Sequence, residues 1–152
     1  KYNFPATMFV YSDFMGSRDV LGRSEMKEMI RSGLVDIQPH SKTHISMGKR
    51  LTNESDEAYR RRIDEEIRIP GQQIRKGLGL PLHTFAYPYG DTNDFLISQL
   101  KNADYSAGVT VNAGGNPAFG YAFKLRRTMI YGDRDMASFV RNLRVFTMEK
   151  LK

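Results

Sequence analysis

Cysteine is absent from this chain, which excludes a disulfide scaffold and leaves either redox compartment open. No apolar run approaches the length of a bilayer-spanning helix. No repeat, low-complexity tract or interdomain linker divides the sequence. No secretory leader is visible. Neither sign of charge dominates: 23 Lys and Arg stand against 17 Asp and Glu, for a net charge of +6. That excess invites nucleic acid or an anionic envelope polymer as a partner. Yet the segment from Glu54 to Glu66 interleaves both signs, as a solvated helix face does, so its arginines are assigned to the surface. At 152 residues, 40% of them hydrophobic and 26% charged, the chain is expected to fold as one globular domain over residues 1–152.

Histidine is scarce, with three residues in all. Two of them, His40 and His44, stand four apart in Pro39-His40-Ser41-Lys42-Thr43-His44, directly after the apolar segment Leu34-Val35-Asp36-Ile37. A short apolar run ending in proline predicts a buried strand giving way to a loop. Two imidazoles at such a junction can converge on one metal ion. The same spacing also fits a polar turn with two incidental histidines. A second junction, Thr84-Phe85-Ala86-Tyr87-Pro88-Tyr89-Gly90, couples an aromatic strand to a Pro/Gly turn. In α/β proteins, ligands gather at loops leaving the carboxyl ends of parallel strands. The two junctions are therefore expected to wall one site.

Together these segments resemble the NodB-like polysaccharide deacetylases, carbohydrate esterases that remove acetyl groups from sugar polymers. His40-Ser41-Lys42-Thr43-His44 is similar to the family's H-[S/T]-x-x-H metal motif. Ala86-Tyr87-Pro88-Tyr89-Gly90 is similar to its R-x-P-Y-G turn, with Ala86 departing at the first position. Residues 1–10 resemble the segment that follows the first catalytic motif. Residues 100–107 and 125–130 resemble the family's later "L…GY…A" and "L-x-R" stretches. The look is closest to the poly-β-1,6-N-acetylglucosamine N-deacetylases.

The resemblance implies a distorted seven-stranded (β/α) barrel, here incomplete. The family opens on T-F-D-D, which supplies the general base and the third metal ligand, yet no Asp-Asp pair occurs in this sequence. Its general-acid histidine also finds no match, since His83 precedes the Tyr-Pro-Tyr-Gly turn and is assigned a structural or surface role. The chain is therefore expected to lack the amino-terminal strand and helix, and with them the general base and general acid. An open barrel edge would then pair with another chain or with a longer polypeptide. A chain read in this way would not show a leader, and the resemblance places the protein outside the cytoplasm.

For the site, the resemblance implies His40 and His44 as ligands of a divalent metal, zinc first, with cobalt, nickel or iron as alternatives. Ser41 and Thr43 brace the loop. Tyr87, Pro88, Tyr89 and Gly90 contact substrate, and the backbone N–H of Tyr89 serves the oxyanion. Arg127 either orients a base, in place of the arginine that Ala86 replaces, or is an ordinary strand-end residue. Asp13 is the only nearby carboxylate to nominate as a replacement ligand.

Local patterns predict alternating elements. A strand is expected over 6–11, and a helix capped by Ser24 with Met26, Met29 and Ile30 inward. A long helix from about Ser55 carries Tyr59, Ile63 and Ile67 on one face, with Pro70-Gly71 expected to interrupt it before Ile74 and Leu78. Then come the Phe85 strand, a helix over 93–101, a strand over 106–111, a loop over 112–119 and a strand over 126–131. A final helix from Asp135 is expected to bury Phe139, Val140, Leu143 and Phe146. Strand–helix alternation indicates a parallel α/β sheet or barrel.

Three functions follow as hypotheses: a metal-dependent deacetylase of an N-acetylglucosamine polymer, a catalytically dead carbohydrate-binding module of the same fold, and a basic nucleic-acid-binding domain. No recognisable nucleic-acid motif accompanies the third.

Overall fold

The protein was analysed as a computed structural model, which describes residues 2–117 and 120–144. Among the described residues, four strands and four α-helices alternate: β1 (Ala6–Val10), α1 (Arg23–Arg31), β2 (Val35–Pro39), α2 (Asp56–Leu78), β3 (Thr84–Ala86), α3 (Asp94–Asn102), β4 (Ala107–Val109) and α4 (Met136–Leu143). Strands β1 and β2 pair in parallel with Ala6 opposite Val35, and β3 and β4 pair in parallel with Thr84 opposite Ala107. The α/β alternation is as expected. The described residues form two two-stranded parallel sheets, not a closed barrel.

No backbone ladder joins β2 to β3; side chains do that instead. Gln38 is fully buried, and its Oε1 accepts from the backbone N–H groups of His83 and Thr84 at 3.1 and 3.2 Å. Its Nε2 donates to the Pro81 carbonyl at 3.0 Å. His83 stands at the edge of this network, with Nε2 3.1 Å from Asp36 Oδ2.

Helix α2 supplies the longest apolar face. Tyr59, Ile63, Ile67 and Ile74 are all buried, as the fourfold spacing predicts. The expected interruption at Pro70-Gly71 does not occur. Pro70 removes the N–H that would reach the Glu66 carbonyl, yet both Pro70 and Gly71 lie on the buried side, flanked by Ile67 and Ile74. A Cβ on Gly71 would come within 2.9 Å of the Leu82 side chain, so glycine here admits a close neighbour. Packing on both sides of the proline holds one continuous helix.

Three other local expectations need correcting. Helix α1 is capped by Gly22 and not Ser24: the Gly22 carbonyl accepts from Met26 N–H, and its own N–H donates to Glu25 Oε2 at 2.6 Å. The strand expected over 126–131 does not form, and β4 is met only by one parallel bridge just before it, Val109 to Leu125. The Asn116 side chain takes both backbone groups of Arg126 at 2.8 Å, drawing that residue away from a ladder. Finally, α4 buries nothing among the described residues, with Phe139, Val140 and Leu143 all exposed. Phe146 lies outside them. No described helix is long and apolar enough to cross a membrane.

Candidate active site

The two junctions do meet. A turn over Ser12–Phe14 follows β1 and continues its pairing with β2 into the histidine loop: Ser12 N–H donates to Ser41 O at 3.2 Å, and Asp13 N–H to Lys42 O at 3.0 Å. Ser41 and His44 both take left-handed backbone conformations, with φ of 72° and 63°. The loop closes locally through His44 N–H, which donates to Ser41 Oγ at 2.9 Å. The His40 and His44 rings are thereby brought to 4.8 Å between centroids, in an edge-to-face arrangement.

His40 has a defined tautomer. Its Nδ1 lies 2.8 Å from the Ala86 carbonyl, and a carbonyl can only accept. The proton therefore sits on Nδ1 and the lone pair on Nε2. Burial pushes the His40 pKa below its ordinary value, opposed by the Ala86 bond and helped by the nearby His44 and Arg127. A neutral ring with a fixed tautomer is what a metal ligand requires. The same shift has a consequence for stability. The unfolded chain binds this proton more readily than the folded one, so stability is present above the unfolded imidazole value and is lost as pH falls through it. Calorimetric unfolding temperature is expected to drop between about pH 7.5 and about pH 5.5, and to drop less in His40→Gln. Equal slopes in both proteins would locate the effect elsewhere.

The loop is held from behind by a residue that sequence reasoning assigned to a solvated face. Glu66, only 3% exposed, reaches up from α2. Its Oε2 accepts from Lys42 N–H at 2.8 Å and Thr43 N–H at 3.0 Å, while Oε1 accepts from Thr43 Oγ1 at 2.7 Å. One signal could have found it: Glu66 is the only acid within the stripe Tyr59-Ile63-Glu66-Ile67-Pro70. Arg62 is also no surface arginine. Its fork grips Glu54 at 2.6 and 2.7 Å and also donates to the Ser46 and Lys49 carbonyls. That grip holds the Glu54 carboxyl down to about 2.

The second junction closes the site. A tight turn over Pro88–Gly90 leaves β3, with Tyr89 left-handed at φ 57°. Gly90 N–H donates back to Tyr87 O and Asp91 N–H to Pro88 O. The Tyr89 ring is 62% exposed and lies 5.0 Å from that of His44.

A family model described as polysaccharide deacetylase matches residues 1–108. The chain belongs to the polysaccharide deacetylase family. It is 26% identical over 116 residues to a poly-beta-1,6-N-acetyl-D-glucosamine N-deacetylase of Staphylococcus aureus, a match covering 73% of this chain and 40% of that protein. With the protein of that name from Staphylococcus epidermidis it shares 22% identity over 138 residues, covering 88% of this chain and 48% of the relative. The chain thus spans less than half the length of either. Among solved structures it superposes on the Streptococcus pyogenes deacetylase PplD in complex with acetate, with a TM-score of 0.78 at 23% identity, over 93% of this chain and 59% of the other. It also superposes on BC0361, a polysaccharide deacetylase from Bacillus cereus, with a TM-score of 0.75 at 26% identity, over 92% and 42%. These neighbours share the NodB-like fold, and members of the family are hydrolases.

Within this member of the family, not every expected site residue faces the site. The Tyr87 side chain is fully buried, and its hydroxyl donates to Phe123 O at 2.9 Å. Burial pushes that hydroxyl up to about 12. Phe85 and Tyr87 both pack into the core, and it is the Ala86 backbone carbonyl that meets His40. The Tyr87 side chain therefore faces the core, and Pro88 is buried likewise. Arg127 is half-buried, with its backbone N–H on Asn112 O at 2.9 Å. Its Nε is buried without a hydrogen-bond partner among the described residues. No group of three His, Cys, Asp or Glu residues suited to a metal occurs among them either, so Asp13 does not complete a set with the two histidines.

The donor chemistry nevertheless fits a divalent metal in part. His40 offers a fixed lone pair and His44 stands beside it, while catalytic zinc usually takes three protein ligands.

Proposed function

We propose that this chain carries the metal-loop half of an active site that hydrolyses N-acetyl groups from an N-acetylglucosamine-containing polysaccharide outside the cytoplasm, releasing acetate. The observation supporting it is the Nδ1-protonated His40, held on Ala86 O with its Nε2 lone pair available beside His44. The N-deacetylase names of the two staphylococcal relatives favour a β-1,6-linked glucosamine polymer.

In this reading His40 and His44 hold a divalent metal, zinc in preference to cobalt, nickel or iron. When bound, such an ion lowers the pKa of a coordinated water and polarises an acyl oxygen. The chain's own residues set the geometry. Ser41 holds His44 through its backbone N–H, and Thr43 ties the loop to Glu66. The Tyr89 N–H, which precedes the Gly90 and Asp91 donors already engaged with Tyr87 and Pro88, is assigned to the developing oxyanion. Arg127 is assigned to orient the carboxylate that takes the water's proton, because its buried Nε has no other partner among the described residues. That carboxylate, the third ligand and the general acid are not among the residues placed at the site. Residues 1–152 act as one domain, and the outer edge of β1, unpaired among the described residues, takes a further strand from the same polypeptide or a second copy.

Zinc titration calorimetry tests the metal loop. The chain should bind one zinc ion, with a loss of at least about tenfold in affinity in His40→Ala and in His44→Ala. Retention of full affinity in both variants would remove the histidine loop from the metal site and the proposed function with it.

A further inference from the structure

Four rings run in sequence across the mouth of the site. Phe14 meets Tyr11 edge-to-face at 5.0 Å, Tyr11 meets His44 at 5.1 Å, and His44 meets Tyr89 at 5.0 Å. The two ends of this row are open, with Phe14 48% and Tyr89 62% exposed. The two middle rings are partly covered. A contiguous row of rings open at both ends is a surface on which a ligand can pack.

Phe14 is also carried on a stiff mount. The turn that bears it is tied to the histidine loop through Ser12 N–H and Asp13 N–H. On its other side, the Phe14 carbonyl accepts from both the hydroxyl and the backbone N–H of Ser17, at 2.8 and 3.1 Å. The backbone of Phe14 is therefore held relative to the histidine loop on both flanks, and its ring rests against the edge of Tyr11. A backbone mount held in place beside a reactive centre lowers the ordering cost of seating a ligand on its ring.

We infer that Phe14, backed by Tyr11, is a platform for a sugar ring of the polymer next to the unit whose acetamide lies at His40 and His44. The inference rests on the proposed deacetylase reading and adds a specificity residue to it. A pyranose has one face of C–H groups and a rim of hydroxyls, so it covers an aromatic face while its hydroxyls stay in water. Phe14 lies two ring-to-ring steps from His44, a span of the order of one neighbouring sugar. A single N-acetylglucosamine unit at the histidines contacts Tyr89 and leaves Phe14 bare, whereas an oligomer covers both.

The test compares N-acetylglucosamine with its β-1,6-linked tetramer by NMR titration of the zinc-loaded chain, in the wild type, Phe14→Ala and Phe14→Trp. Phe14→Ala should weaken tetramer binding about tenfold and monomer binding less than about twofold. Phe14→Trp should keep or improve the tetramer. Because Phe14 is exposed, both variants are expected to unfold at the wild-type temperature. If the wild type binds the tetramer and Phe14→Ala binds it equally well, the platform is overturned while the deacetylase reading stands. If the wild type binds neither sugar while still binding zinc, the substrate reading fails and the platform fails with it.

Discussion

Replacing Glu66 with alanine is expected to be the most damaging change behind the site, costing about 3 kcal/mol and lowering the unfolding temperature by about 6–12 °C. The carboxylate accepts three hydrogen bonds, all from the histidine loop, and alanine leaves two backbone N–H groups and the Thr43 hydroxyl without that partner. Unsatisfied buried donors cost about 1–3 kcal/mol each, and partial water entry offsets some of this. Glu66→Gln discriminates between shape and charge. The amide oxygen can still accept both backbone N–H groups, and its nitrogen can donate to the Thr43 hydroxyl, so only the charge assistance is lost. That variant should lose about 1 kcal/mol. Zinc affinity should follow the same order, falling by about ten- to a hundredfold in Glu66→Ala, because the loop that aims His44 is no longer tied to α2. An unfolding temperature within about 2 °C of wild type for Glu66→Ala would show that the loop holds itself.

The second large effect lies on the opposite wall. Gly90→Ala should cost about 3 kcal/mol, from two separable sources. Gly90 has φ 75°, a left-handed conformation that a side chain disfavours by about 1–2 kcal/mol. A Cβ there would also lie 2.6 Å from Val111 Cγ2 and 2.7 Å from the Val111 backbone nitrogen. The backbone atom cannot swing aside, so the turn bearing Tyr89 must move from the strand end. Gly79 provides the comparison. It caps α2 at nearly the same φ, 74°, with nothing within 4 Å of an added Cβ. Gly79→Ala should therefore show the conformational cost alone, about 1 kcal/mol. Denaturant unfolding of the two variants separates the terms. Equal losses at both positions would mean that the approach to Val111 relaxes freely.

The parts of the fold legible in the sequence are those governed by neighbours along the chain. The Tyr59-Ile63-Ile67 stripe, the α3 helix expected over 93–101 and the apolar strands before the two junctions depend on local periodicity. The same locality explains why the family could be recognised from ordered short motifs, with the matched segment then extending over residues 1–108.

At two of the corrected positions, a partner from outside the local segment had intervened. Pro70-Gly71 reads as a break, but the close approach of Leu82 and the packing of Ile67 and Ile74 hold α2 together across it. The 126–131 segment has strand character, but Asn116 captures the Arg126 backbone from ten residues away. Tyr87 sits inside a substrate-turn motif, yet its ring packs into the core, where it reaches Phe123.

By itself, the sequence determined the element types, the family and the pair of histidines, because each is written in short-range pattern. Only the tertiary structure decided that Glu66 grips the loop, that His40 holds its proton on Nδ1, and that Phe14 joins the row of rings. The first two are contacts between elements far apart in sequence, and the third reaches His44 through Tyr11; neither burial nor hydrogen-bond direction exists until the chain has closed on itself.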